Sequence, residues 1–508
     1  MYYIFPIKET APEAVIGIYE GDYKVEEISA CVGTPCDFLS WIDVSMYKAE
    51  ELRLKAERGE ADLSCVCLSP RRPKRAGRHP LIHYTPSVGW INDPNGLVYD
   101  EDERKYHICF QHNPYGTKWG NMTWTHIETE DFIHYSEEKK LFRPCADGPA
   151  FSGTAWKSER GLRYFYTAGT GNSAWSEDRE KRNIQKTALW NLRKEYPEEQ
   201  RILNIPVESR EARDPKIVYL ADENCYLLIL YCRENEFCIY SSEDLREWEQ
   251  VQKITLPGMW ECPDLFELKD QNGDGYHVFW SADGYYVVGH LEHKIFTPVS
   301  GVQSAYQCNQ AGMTRYYAAQ TFSNMENRIL QIAWIQSEHC EGRCYTGELS
   351  LPVEITLRTD KEQYGLCFKP AGELERLRSV SRKFELTKIE PGFRIDRPED
   401  RGVDRAEERA LELEIIRAGG EGMIALEIGS TVLQINFSTG EIRLGAKKFL
   451  CSEEEKFRIF ADNDIIEIFS GRGKVYCTEK SNGCSVCVRK NTCSGGILEV
   501  FWLSPIEC

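Results

Sequence analysis

Residues 92–114 read NDPNGLVYDEDERKYHICFQHNP. A turn built on Asp93-Pro94 opens into an apolar run, an acidic turn follows, and a second run rich in Tyr, Ile and Phe returns. Such runs bounded by Gly, Asn, Asp and Pro are the signature of short antiparallel strands. The arrangement recurs at RDPKIVYLADENCYLLILYC (213–232) and CPDLFELKDQNGDGYHVFWS (262–281). The first two copies continue into ETEDFIHYS (128–136) and SSEDLREWE (241–249), each an acidic Ser/Thr turn with an aromatic. Repeating units of about 50 to 60 residues, each a small sheet, predict a β-propeller.

Outward from the repeats the texture changes. GELERLRS (372–379) reads as a short connecting helix. Beyond it LELEIIRA, MIALEIGSTVLQINFS and FRIFADNDIIEIFSG alternate apolar and polar residues, which predicts a β-sandwich. Before the repeats, AVIGIYEG and YKVEEISACVG look like strands, whereas MYKAEELRLKAERGE (46–60), with Glu51 and Lys55 at i, i+4, reads as a helix. The expected organisation is a small module at 1–75, a propeller at 76–365, a linker at 366–382 and a sandwich at 383–508. A chain of 508 residues is too long for one core and agrees with several domains.

The formal charge of −18 argues against a nucleic-acid partner. RRPKRAGR (71–78) is the exception and reads as a solvated linker more readily than a phosphate patch. The N-terminal residues lack the pattern of a secretory signal, and no apolar run is long enough to span a bilayer. A cytoplasmic protein with no membrane partner is expected, its 20 cysteines acting as thiols. Cys484 and Cys487 have C-x-x-C spacing, but no second pair or nearby His completes a zinc site, so no metal is expected. DQNGDG (270–275) starts like a calcium loop but has Ser281 at the twelfth position, so a hairpin turn is expected.

Three acids open the repeated strands: Asp93 in NDPNG, Asp214 in ARDPKI and Glu261 in WECPD. First strands line the centre of a propeller, so these acids should converge at one mouth. Converging carboxylates repel, which raises at least one pKa and suits acid catalysis beside an ionised carboxylate. One Asp-Pro turn alone would be only a strand entry.

HYTPSVGWINDPNG, FQHNPYGTKWGNMTW, FSGTAW, EARDPKI, WECPDLFEL and YYAAQTF, in that order, resemble the signature blocks of glycoside hydrolase family 32, the β-fructofuranosidases. The resemblance implies an all-β chain, a five-bladed β-propeller followed by a C-terminal β-sandwich, with the first 75 or so residues uncovered. It implies Asp93 as nucleophile, Glu261 as general acid/base and Asp214 as transition-state stabiliser with Arg213 beside it. Asn92, Gln111, Trp119, Phe151, Ser152 and Trp334 match positions of a fructose pocket. The expected function is a retaining, exo-acting β-fructofuranosidase that releases terminal fructose from sucrose or short fructo-oligosaccharides, without a cofactor. A fructosyltransferase on the same scaffold is the alternative, and a non-catalytic carbohydrate-binding propeller a weaker one. Thr123 and Thr125 depart from the family pattern, as does Arg315, which is expected either to shape the choice of the second sugar or to form a surface ion pair. The expected partner is a small oligosaccharide; assembly into a homo-oligomer is left open.

Overall fold

A computed structural model describes residues 1–170, 182–306, 315–340, 342–361, 363–396, 410–451 and 454–508. The described chain is β-structure joined by turns and a few 3-10 turns. From residue 89 to 370 it forms five successive antiparallel sheets, each with four strands as its main path. Their first strands are Gly89–Asp100, Ala150–Ser158, Arg213–Leu220, Asp264–Lys269 and Tyr316–Thr321. These five strands neighbour one another in chain order, and the fifth returns to the first. Tyr345–Thr346 adds a short parallel pairing to Gly89 and Trp90, tying the end of this region to its beginning.

Apolar faces between successive sheets hold the ring together. Leu227, Ile229 and Phe237 of the third sheet pack with Leu265, Phe279 and Val287 of the fourth, all at or near zero exposure. Each such side chain contributes roughly 1.5–3 kcal/mol of burial. DQNGDG is the turn between strands Asp264–Lys269 and Gly275–Trp280, with Asp270 Oδ1 accepting from the amides of Asn272 (2.8 Å) and Asp274 (3.0 Å).

Four of the five first strands share a local irregularity; Asp264–Lys269 pairs without one. The ladder register shifts between Ile91 and Pro94, between Ala150 and Gly153, between Arg213 and Lys216, and between Tyr317 and Gln320. A bulge re-aims side chains and increases local twist. Pro94 and Pro215 suit such sites because proline has no amide to give to a ladder. Gly96, next to the first bulge, adopts φ 55°, and a Cβ there would stand 3.0 Å from the Trp124 ring.

The described residues between 378 and 503 form two six-stranded antiparallel sheets. Leu411, Leu413, Ile459 and Ile468 of one share a single core with Ile424, Leu426, Ile435 and Val488 of the other. The expected linker at 366–382 is shorter in the structure. Strand Gln363–Pro370 belongs to the fifth sheet and strand Arg378–Glu385 to the next region, leaving a 3-10 turn, Gly372–Leu377, between them. The two regions meet at a buried triad: His83 Nδ1 lies 2.9 Å from Asp462 and its Nε2 3.5 Å from Glu467.

The N-terminal residues form two three-stranded sheets. The helix expected at 46–60 is absent. Leu52–Arg58 is a strand paired with Ala14–Glu20. Leu52 and Leu54 alternate onto the module's core, and that period of two outweighs the Glu51/Lys55 spacing. The basic run 71–78 is a seam rather than a free patch: Arg72 pairs with Glu137 at 2.9 Å and Arg75 donates to Thr85 Oγ1 at 2.7 Å.

Candidate active site

The bulges carry the chemistry. Asn92 and Asp93 occupy the first, Phe151 and Ser152 the second, Asp214 and Pro215 the third. Asp214, Glu261 and Cys262 all have left-handed backbone, with φ of 63°, 24° and 43°. Non-glycine residues adopt that region at a cost of order 1–3 kcal/mol, and such strain clusters at functional sites. Pro215 and Pro263 follow directly, and their rings lock φ at the next residue of each turn.

The three acids expected to converge do so around one thiol. Cys262 Sγ lies 3.6 Å from Asp93 Oδ2 and 3.6 Å from Asp214 Oδ2, and its amide donates to Asp214 Oδ2 at 3.1 Å. Glu261, the preceding residue, is gripped by Arg213, whose Nε and Nη2 donate to Oε2 at 3.0 and 2.8 Å. The same guanidinium stands 3.7 Å from Asp214 and lies over the Tyr231 ring at 4.6 Å. Tyr317 donates to the other oxygen, Oε1, at 2.6 Å.

Asp93 is half-buried. Ser152 Oγ donates to its Oδ2 and Asn92 Nδ2 to its Oδ1. Burial pushes its pKa up to about 6; the Ser152 hydroxyl opposes this and the charge of Glu261 adds to it. Burial also raises Asp214 well above the usual carboxylate range, against the pull of Arg213 and with the charges of Glu261 and Asp93 assisting. The site therefore holds more carboxylate than its surroundings keep fully ionised at neutral pH.

The other expected pocket residues divide into groups. Asn92 is an orienting hub: it donates to Gln111 Oε1 and accepts from Trp90 Nε1 at 3.0 Å. Gln111 in turn donates to the Ala150 carbonyl at 3.4 Å. Trp334 stands edge-on to Trp90 at 5.7 Å and near Tyr317 at 6.3 Å, and its buried indole N–H has no hydrogen-bond partner among the described residues. Trp119 is 53% exposed beside the Phe151 ring, 6.3 Å away. Arg315 lies differently. Its Nε faces Glu479 of the C-terminal region at 3.6 Å and its Nη1 donates to the Gln336 carbonyl at 3.2 Å. Thr123 and Thr125 are buried, bonded to the Asn121 carbonyl and to His112, so they support a strand.

Cys262 and Tyr317 went unassigned from sequence although both stand inside quoted motifs, WECPD and YYAAQTF. Motif membership was the available signal, but it does not show where a side chain points. Beneath the site Lys216 bridges Asp264 (3.0 Å) and the Thr321 carbonyl (2.9 Å), linking the third, fourth and fifth sheets.

Among the described residues, the group able to converge on a metal is His107, His126 and Glu128, not Cys484 and Cys487. Three of its atoms already have partners: His107 Nδ1 and His126 Nε2 bond each other at 3.0 Å and Glu128 Oε1 pairs with Lys105 at 2.8 Å, while His107 Nε2 is buried with no hydrogen-bond partner among the described residues. A concavity of about 1030 Å³ elsewhere on the chain is lined by residues such as Gln271, Ser304 and Arg358 and by none of the three acids.

Residues 83–370 match the model of the glycosyl hydrolases family 32 N-terminal domain. A levanase of Bacillus subtilis is 26% identical over an alignment 469 residues long that covers 79% of this chain and 66% of that protein, so the chain spans about two thirds of the levanase's length. A sucrose-6-phosphate hydrolase of Zymomonas mobilis is 27% identical over 78% of this chain and 86% of its own. Among solved structures, an exo-inulinase from Aspergillus awamori has the same fold, with a TM-score of 0.68 at 19% identity over 84% of this chain and 98% of that one.

Proposed function

The chain belongs to the glycosyl hydrolases of family 32, and from that membership we propose that it is a retaining β-fructofuranosidase releasing terminal fructose from sucrose or short fructo-oligosaccharides. The observation that carries this reading is the meeting of Asp93, Asp214 and Glu261 around Cys262 and Arg213. The names of the relatives, levanase and sucrose-6-phosphate hydrolase, support a fructoside as substrate.

In this mechanism Glu261 gives a proton to the glycosidic oxygen as the bond to C2 of fructose breaks. Asp93 attacks C2 and forms a fructosyl-enzyme. Glu261 then takes a proton from water, which releases fructose. Arg213 and Tyr317 hold the two oxygens of Glu261, so the carboxyl is fixed before substrate arrives. Ser152 and Asn92 do the same for Asp93. Asp214, beside both, is placed to hold sugar hydroxyls and to balance positive charge developing at C2.

We further read the five sheets as the blades of a five-bladed propeller and the two six-stranded sheets as a β-sandwich. The cyclic contact of the first strands and the shared core of the two sheets support this. The test of function is a panel of sucrose, 1-kestose, inulobiose, levanbiose, inulin and levan with product separation. Free fructose from at least one substrate is expected. Transfer products in place of free fructose would favour the transferase alternative, and no turnover of any of them would contradict the reading.

A further inference from the structure

We propose that the N-terminal module forms part of the active-site rim, where Glu9 and Ser29 position the loop bearing Trp119 and thereby set how tightly a second sugar is held. This rests on the fructosidase reading above. The module lies outside the matched family region, which begins at residue 83. Its core is nevertheless continuous with the catalytic part: Phe5, Ile16 and Ile18 cluster with Val88, Tyr115, Cys344 and Tyr345.

Loop 114–121 leaves its strand at the catalytic end, where Asn113 pairs with Trp90 and His112 with Ile91. The module holds this loop at three places. Tyr115 is buried in the module's core, edge-on to Phe5 at 6.2 Å. Glu9 Oε1 accepts from both the amide (3.1 Å) and the hydroxyl of Thr117. The Asn121 side chain meets the backbone of Ser29 with two bonds, each 2.8 Å, accepting from its amide and donating to its carbonyl. Between Thr117 and Asn121 stands Trp119, the most exposed of the residues matched to the fructose pocket and so the one placed at its outer edge, next to Phe151, whose neighbour Ser152 bonds Asp93.

Glu9 reaches a second rim segment too. Its Oε2 lies 3.4 Å from His339 Nε2. The His339 segment runs on into Tyr345–Thr346, which pairs with Gly89 and Trp90. One carboxylate thus joins two loops that both end beside Asn92 and Asp93, and Asp37 holds Glu9 from behind by accepting its amide at 2.7 Å. An indole face offers an apolar plane to the C–H face of a sugar. A loop fixed on both sides of Trp119 loses little freedom when that plane is used, and a loosened loop loses binding rather than bond cleavage. Glu9 is a positioning residue; it touches none of the three acids.

The test uses the full chain and its Glu9→Ala and Glu9→Gln variants with two donors. Methyl β-D-fructofuranoside has no second sugar; 1-kestose does. For Glu9→Ala, KM for 1-kestose should rise about fivefold or more with kcat within about twofold, while methyl β-D-fructofuranoside is hardly affected. Glu9→Gln keeps an oxygen acceptor for Thr117 and should recover much of the loss. Hydrogen exchange of peptides covering 114–122 should be at least about tenfold faster in Glu9→Ala. Unchanged exchange would overturn the positioning of the loop. Faster exchange with equal effects on both donors would reduce the module to a structural prop and overturn its role in sugar binding. If the wild-type chain cleaves neither donor and none of the panel substrates, the fructosidase reading fails and the second-sugar role with it, while exchange still decides whether Glu9 holds the loop.

Discussion

As the proposed nucleophile, Asp93 has two tasks that conflict: it must be ionised to attack, and it must sit where water is scarce. Burial lifts it to about 6, and the Ser152 hydroxyl resists that lift. Two predictions follow from this balance. Asp93→Asn should abolish turnover, a loss of roughly 5 kcal/mol or more in barrier terms, with circular dichroism unchanged. Activity within tenfold of wild type would remove Asp93 from the nucleophile role. For Ser152→Ala the sign is set by which form the hydroxyl favours. A donor to the carboxylate stabilises the ionised form, so its loss raises the pKa of Asp93. In wild type kcat/KM should fall as pH drops through about 6, and in Ser152→Ala that fall should begin at higher pH. A limb that stays in place or moves to lower pH would show that another group controls it. The three acids were legible in the sequence because each opens a repeated strand. Arg213, Asn92 and Ser152 came with the family resemblance, but two of the supporting contacts did not. Cys262 and Tyr317 act through side-chain direction, which backbone bulges and left-handed φ values set and which no local pattern in the sequence records.

At the scale of elements, the repeat of turn, strand, acidic turn and strand was readable because period-two alternation and Asp-Pro punctuation agreed. The stretch 46–60 was misread because its charges fit a helix while its apolar residues fit a strand. The open edge of strand Ala14–Glu20 decided between them, and that partner is remote in sequence. The buried contact of Lys216 with Asp264 is another remote element, crossing from the third sheet to the fourth. Both side chains are nearly inaccessible to water, at 3% and 0%. Lys216→Met would leave Asp264 as a buried charge without its cation and should destabilise by about 3–5 kcal/mol, seen as a lower denaturation midpoint. A midpoint equal to wild type would mean that the Thr321 amide and hydroxyl, both bonded to Asp264, suffice to hold it.

Across the whole molecule, the family resemblance reached the ring of sheets and the C-terminal sheets but not the way they lock together. His83 stands in the first quoted motif, and nothing nearby announces Asp462 and Glu467, which lie about 380 positions on. Burial works against a charged imidazole there, but these two carboxylates outweigh it and raise the pKa of His83 to about 10. A raised folded-state pKa gives stability that is full below the unfolded value near 6.5 and is lost as pH rises toward about 10. The stability gap between wild type and His83→Gln should therefore be widest below about pH 6.5 and narrow steadily above it; a gap that widens with pH would contradict this account of the triad. The central claim is chemical: Asp93 forms a bond to one face of the sugar and water later displaces it from the opposite face, the one the leaving group vacated. The most direct check is NMR of the fructose released in the first minutes from a β-fructoside, before the anomers equilibrate. Double displacement predicts β-fructofuranose as the first signal, and α-fructofuranose appearing first would contradict it even if the protein proved to cleave fructosides.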